Sequence, residues 1–238
     1  MAATKLTDFL RRYTNIPALL YILRDRIITL LDPETWNDKN DSHYLAVYRE
    51  KKALRCVLAL CFTQVSETYH HWRVFADGSA GICITFEREK LLTALKKKSG
   101  ITARSVKYLT LNEMDRKKLK VDELPFLKRY LYEDEQEFRV IYESKVKRRD
   151  ALDVSIPLNC IDRITLSPWT PKALTDTLKE TIREIPGCDK MKIVRSTLIS
   201  NERWKNYSEA ASPPTACLSK IETFTTHQNT GTFGNSPS

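Results

Sequence analysis

Apolar positions recur at helical spacing between Ile16 and Arg26, where Leu19, Leu20 and Leu23 fall on one stripe. Thr14 or Asn15 stands where an N-cap belongs, and Pro17 fits a first turn, so a helix is predicted there. The β-branched run from Arg26 to Leu31 predicts a strand that Asp32-Pro33 turns into a polar loop, Glu34 to Ser42. His43 to Tyr69 follows a helical pattern broken by Val57-Leu58-Ala59-Leu60-Cys61-Phe62, a short unbroken apolar run that suits a buried strand. Further strands are predicted at Gly81 to Glu87, Val106 to Thr110, Glu135 to Ser144, Arg163 to Ser167 and Lys192 to Arg195, with Asp153 to Pro157 following a basic hairpin or loop. Helices are predicted at Arg88 to Lys97, over most of Asn112 to Leu131, and at Pro171 to Arg183.

Short strands interleaved with helices, without the glycine turns of strict βαβ repetition, predict an α+β fold. The expectation is a single compact domain over residues 1–207, with a mixed or antiparallel sheet flanked by helices. Residues 208–238 are poor in aliphatics and rich in Ser, Thr, Pro, Asn and Gly, which predicts a flexible tail. The chain has no internal repeat and no GxGxxG, GxxxxGK[ST] or GxSxG, which removes Rossmann dehydrogenases, phosphate-loop enzymes and nucleophile-elbow hydrolases.

Charge changes this picture. The net charge is +9, and because 208–238 carries one Lys against two Glu, the first 207 residues hold +10. Basic clusters occur at Lys96-Lys97-Lys98, Arg116-Lys117-Lys118 with Lys120, Lys128-Arg129 and Lys145 to Arg149. Each reads either as a solvated face or as a surface for an anionic partner such as nucleic acid. No run of 18 apolar residues and no signal-like start is present, so a cytoplasmic protein without a membrane segment is expected. The six cysteines lack paired short spacings and are expected as free thiols. Cys56 and Cys61, with His70 or His71, would need further ligands to hold zinc, so no metal is expected.

Four segments place polar residues in apolar surroundings. Arg12-Tyr13-Thr14-Asn15 caps a helix, or offers Arg12 as a donor fork for a phosphate or ribose. Trp36-Asn37-Asp38-Lys39-Asn40-Asp41 is explained by turn chemistry, or turns Asp38 and Asp41 toward a ligand. In Tyr69-His70-His71-Trp72 at most one histidine can enter a site. In Glu135-Gln136-Glu137-Phe138-Arg139 a strand starting near Glu135 sets Glu135, Glu137 and Arg139 on one face and Phe138 and Val140 on the other. That face is either a polar site in a cleft or a salt-bridged exposed surface.

These residues carry a resemblance. Arg12-Tyr13, Pro33 to Asp41, Cys61-Phe62-Thr63, His71-Trp72, Gly81-Ile82-Cys83-Ile84-Thr85-Phe86 and Glu135-Gln136-Glu137-Phe138-Arg139 follow in order the motifs of the bacterial domain-of-unknown-function 2971 family, which the chain resembles from about residue 10 to 200. It departs from that family's Trp-Ser-His-Tyr order at His70 to Phe75, and from its Asn-Asp-Pro at Asn37-Asp38-Lys39. More distantly, the order of segments is similar to ADP-ribosyltransferase folds, which implies a split sheet and NAD as cofactor. The resemblance implies Glu137 as the catalytic carboxylate with Glu135 contacting the acceptor. It implies Arg12, Tyr13, Tyr69, His71 and Trp72 on the NAD side, and leaves Asp38, Asp41 and Arg139 for the substrate.

The function expected is an NAD-dependent transferase acting on an anionic macromolecule, as a toxin or defence effector with a possible partner protein. Two other classes compete. One is a non-catalytic nucleic-acid-binding or partner-sensing module, in which Trp36, Trp72 and Trp169 could stack bases. The other is a magnesium nuclease built on Asp38, Asp41, Glu135 and Glu137.

Overall fold

The structure is a computed structural model that describes residues 8–76 and 78–211. Its strands are β1 (Phe9–Asn15), β2 (Ile27–Leu31), β3 (Cys56–Thr63), β4 (Gly81–Glu87), β5 (Ile101–Ser105), β6 (Lys107–Leu109), β7 (Leu127–Arg129), β8 (Glu137–Ser144), β9 (Ala151–Ser155), β10 (Ile161–Leu166) and β11 (Ile193–Arg195). Its helices are α1 (Ile16–Asp25), α2 (Lys39–Lys51), α3 (Tyr69–Phe75), α4 (Arg88–Lys96), α5 (Leu111–Asp115), α6 (Lys172–Arg183) and α7 (Glu202–Glu209). The chain divides into two units, Met1–Ser200 and Asn201–Ser238. The second contains α7, capped by Asn201, whose side chain accepts from the Trp204 amide. The tail beyond residue 211 lies outside the described residues.

In the first unit the apolar run of β3 becomes the centre of a nine-stranded mixed sheet. One edge of β3 pairs antiparallel with β8 along its whole length, and β8 pairs in turn with β5. The other edge is shared: β1 meets it at Arg11 and Thr63, and β2 meets it at Leu31 and Ala59. The sheet therefore forks at Cys61, into β1-β4-β10-β11 on one branch and β2-β9 on the other. Pairing is antiparallel except between β10 and β11, and β6-β7 forms a separate parallel pair.

Strand alternation assigns the two faces. Leu10, Leu58, Leu60, Phe62, Ile84, Phe86 and Val140 turn to the larger core, where they meet Leu19 and Leu23 of α1, Leu91 and Leu95 of α4 and Ile182 of α6. On the opposite face Val57, Ala59 and Ile141 pack under Leu45 and Tyr48 of α2. Farther along that face Tyr13 and Cys83 pack under Trp72 of α3. Between these two apolar patches the same face is polar, and there the predicted site lies.

Helix α1 starts where the sequence placed it. The Asn15 side chain accepts from the Ala18 amide at 3.0 Å, and Arg26 closes the helix in the left-handed region. The segment before it is not only a cap but a full strand, because seven residues pair with β4.

The polar loop expected to Ser42 ends at Asp38, which caps α2 by accepting from the amides of Asn40 and Asp41. The helical pattern from His43 stops at Lys51. The long helix expected over Asn112 to Leu131 is not formed. Only α5 is α-helical there, opened by the Thr110–Glu113 capping box, and Val121–Phe126 forms a short 3-10 helix. Pro125 biases its predecessor away from helix, Leu124 and Phe126 are buried in the α2 core, and Leu127–Arg129 pairs with Lys107–Leu109. Long-range packing outweighs helix propensity. Strand β5, a short polar edge strand, had no distinct pattern.

Candidate functional site

The site is built on the β3-β8 ladder, where Glu137 is opposite Thr63, Arg139 is opposite Cys61 and Ile141 is opposite Ala59. Two residues of register thus carry the face from apolar packing to charge. Arg139 is fully buried and spends its guanidinium on fixed acceptors. Its Nε and Nη2 donate to the two Glu137 oxygens at 2.6 and 2.8 Å. Its Nη1 and Nη2 donate to the two Asp41 oxygens at 2.7 and 2.6 Å, and Nη1 also donates to the Pro125 carbonyl at 2.9 Å. The Trp36 ring lies 5.1 Å from the guanidinium.

A second cation joins from β7. Lys128 Nζ donates to Glu135 Oε2 at 2.6 Å and to Glu137 Oε2 at 3.4 Å, and lies 3.7 Å from Asp41 Oδ2. Glu135 is not on the strand, as the period-two reading expected. It ends the turn Tyr130–Glu135, and Gln136, with φ of 43°, swings the chain into β8. Its carboxylate nevertheless reaches the cluster. The acid-and-base face is salt-bridged as one reading proposed, but it is buried, not exposed. Lys128, which the sequence suggested as half of a basic surface pair, is inside it.

Three carboxylates thus face two cations in a nearly dry space. Burial would raise the Glu137 carboxyl, but the Arg139 charge and hydrogen bonds overcome it and hold the group at about 2. Burial pushes Glu135 and Asp41 above the ordinary carboxylate range, against the pull of Lys128 and Arg139 respectively. Among the described hydrogen bonds, Glu135 Oε2 is engaged by Lys128 and Oε1 by none. The cluster borders a cavity of about 140 Å³ lined by Asp38, Asp41, Tyr44, Leu109, Leu127 and Lys128.

An aromatic group adjoins it on the same face. His71 Nε2 lies 3.2 Å from the Glu135 carbonyl, which can only accept, so Nε2 carries the proton and Nδ1 accepts from the Thr68 hydroxyl at 2.6 Å. Burial lowers the His71 pKa, in keeping with this neutral tautomer. The Thr63 hydroxyl donates to the same carbonyl at 2.7 Å. Tyr13 stacks on His71 at 5.4 Å and meets Trp72 edge-on at 5.1 Å. Trp72 is fixed by its indole N–H donating to Glu67.

The structure brings Asp41, Glu135, Glu137 and Arg139 into one cluster, with Tyr13, His71 and Trp72 beside it and Asp38 on the cavity rim. Tyr69 is exposed and packs on Trp169 with Arg73 against both rings. Arg12 alternates to the face opposite Tyr13, paired with Ile84. Its Nε is buried without a hydrogen-bond partner, and burial lowers its pKa, opposed by the nearby Cys61 at the fork. Arg11 takes the Tyr13 face instead and donates to the Val65 carbonyl at 2.9 Å. Lys128 and Arg11 were missed, and only the strand registers distinguish them from other basic residues.

Among the described residues no group of three or more His, Cys, Asp or Glu is arranged to hold a metal ion. No helix among them is long and apolar enough to cross a membrane.

Comparison with known proteins adds one neighbour. DarT from Thermus sp. 2.9, solved in complex with NAD+, is similar to this chain with a TM-score of 0.41 and 9% identity, over 82% of this chain and 98% of that one. No family model and no curated protein matches the sequence, so the resemblance to the domain-of-unknown-function 2971 family has no family model behind it.

Proposed function

We propose that the chain is an NAD-dependent ADP-ribosyltransferase-like enzyme that modifies an anionic macromolecule such as nucleic acid, as a bacterial toxin or defence effector. The observation that carries this reading is the cluster itself: three carboxylates against two cations, with Glu137 held ionised to about pH 2, beside the Tyr13-His71-Trp72 group. Such a site is tuned for positive charge that appears during reaction.

In the proposed reaction the bond between nicotinamide and the ribose carbon breaks, and its electron pair leaves with the nicotinamide nitrogen. The ribose carbon becomes cationic, and the fixed Glu137 charge stabilises it more than it stabilises the ground state. An acceptor oxygen or nitrogen then forms the new bond and gives its proton to Glu135. Burial raises the Glu135 carboxyl toward the range useful to a base, and its Oε1 is unspent on Lys128. Arg139 and Lys128 position the two carboxylates. Tyr13, His71 and Trp72 form the apolar wall of the NAD side, and Asp38 and Asp41 border the substrate cavity. The net charge of +9 favours an anionic acceptor.

The test is nicotinamide release from NAD by the full chain, beside Glu137→Gln and Glu135→Gln, with folding checked by melting. Both variants should lose at least about a hundredfold in turnover. Turnover left intact in folded Glu137→Gln and Glu135→Gln would overturn the reading.

A further inference from the structure

The β5-β8 ladder changes partners where it reaches the site. Its hydrogen-bonded pairs fall at every second residue, so Thr102 with Ile141 and Arg104 with Arg139 are followed by Val106 with Glu137. Val106 makes one bond of that pair, donating to the Glu137 carbonyl at 2.9 Å. The return bond goes elsewhere. The Glu137 amide donates to the phenol oxygen of Tyr108 at 2.7 Å, where a strand would offer the Val106 carbonyl.

By standing in for a strand carbonyl, Tyr108 lets the chain leave β8 after Val106 and still hold Glu137. Strand β6, which carries Tyr108, pairs with β7, and there Tyr108 is opposite Lys128. Lys128 Nζ in turn donates to Glu135 at 2.6 Å and to Glu137 at 3.4 Å. One β-pair therefore reaches Glu137 twice, with a phenol on its backbone and an ammonium on its carboxylate. The hold falls where the strand is weakest, because Glu137 is the first residue of β8 and follows Gln136 in the left-handed region. Val106 and Gln64 bind the carbonyls of Glu137 and Gln136, and Tyr108 binds the Glu137 N–H.

Tyr108 is half-buried. Burial pushes its phenol up, and the Glu137 and Glu135 charges add to this against the amide bond and Lys128, so the group stays neutral. Among the described hydrogen bonds it only accepts, and its own proton is spent on none.

We propose that Tyr108 is a positioning residue of the transfer, acting through Glu137: the phenol fixes the backbone that carries the catalytic carboxylate and keeps it in step with Lys128. The inference rests on the proposed transferase reading and adds to it a residue outside the charged cluster.

Amide exchange of the full chain without NAD reads the hold itself. The Glu137 amide should exchange at least about tenfold faster in Tyr108→Phe, while the Ile141 amide keeps its wild-type rate. Nicotinamide release reads the consequence. Tyr108→Phe should lower kcat at least about tenfold, keep KM for NAD within about twofold and melt within a few degrees of wild type, because a misplaced catalytic group costs rate before affinity. Tyr21→Phe, which takes a phenol from Asp153 at 3.3 Å on β9, is the control and should change neither constant.

Fluorinated tyrosine at position 108 keeps the ring, weakens its oxygen as an acceptor and strengthens its O–H as a donor. It should lower kcat as Tyr108→Phe does, and it decides the matter if Tyr108→Phe does not fold. An unchanged Glu137 amide, or a faster one beside wild-type kcat, would overturn the proposal. So would a raised KM at wild-type kcat, or a gain on fluorination, since either assigns the spare proton to a ligand. A wild-type chain that releases no nicotinamide fails the transferase reading instead, and amide exchange still reads whether Tyr108 holds Glu137.

Discussion

Arg139 and Asp41, 98 residues apart in sequence, meet through two parallel hydrogen bonds of 2.6 and 2.7 Å between guanidinium and carboxylate. This pair binds the first turn of α2 to the centre of β8, and through the remaining Arg139 donors it fixes Glu137 and the Pro125 carbonyl. Replacement of Arg139 by Met leaves two buried carboxylates short of their cation. The expected loss is about 3–5 kcal/mol of stability. Chemical denaturation would read it, and a loss below about 1 kcal/mol would show that the pair does not organise this face.

Stability should fall steeply in acid, with a sign that the cluster determines. The Glu137 carboxyl, ordinarily near 4.5, is held at about 2 in the fold. The unfolded chain therefore binds a proton before the folded chain does. The stabilisation from Glu137 is complete above about pH 4.5 and is lost as pH falls toward 2. Glu135 and Asp41, raised by burial, act in the opposite direction as pH rises above the ordinary carboxylate range. Melting temperature against pH should show its steepest decline below 4.5, and Glu137→Gln should flatten that limb while lowering the plateau. An unchanged limb in the variant would assign acid unfolding elsewhere.

Arg12 offers a separation of stability from activity. Its buried Nε has no hydrogen-bond partner among the described residues, so that N–H carries a desolvation cost. Arg12→Met is expected to stabilise the protein by about 1 kcal/mol. Because Arg12 is on the face opposite Tyr13, the same variant should leave nicotinamide release unchanged. A drop in melting temperature would mean that the guanidinium holds the sheet fork together.

Gly100 enters β5 with φ of +87°, a conformation that disfavours side chains, and a Cβ there would lie 2.7 Å from the Glu143 carbonyl. The Gly100 carbonyl itself accepts from the Glu143 amide at 3.0 Å. Gly100→Ala should cost more than about 1 kcal/mol and detach β5 from β8. The midpoint of urea unfolding measures the first effect, and faster amide exchange confined to Ile101–Ser105 measures the second.

Local pattern was enough for the elements whose physics is local. The Asn15 cap and the Leu19, Leu23 stripe specify α1 through adjacent turns, and the unbroken apolar runs of β3 and β4 specify strands buried on both faces. The spacing of Glu137 and Arg139 also specified that these residues share a face, because side-chain period is a property of the strand itself, whereas Glu135, expected with them, lies in the turn before β8. Tertiary structure decided what that face meets. The β3-β8 register sets charge beside Cys61 and Thr63, α2 brings Asp41, and the β6-β7 pair draws Lys128 inward instead of leaving it in a helix. Each of these depends on contacts between distant segments, whose burial and pairing energies outweigh the propensities of the residues alone, and no spacing along the chain records them.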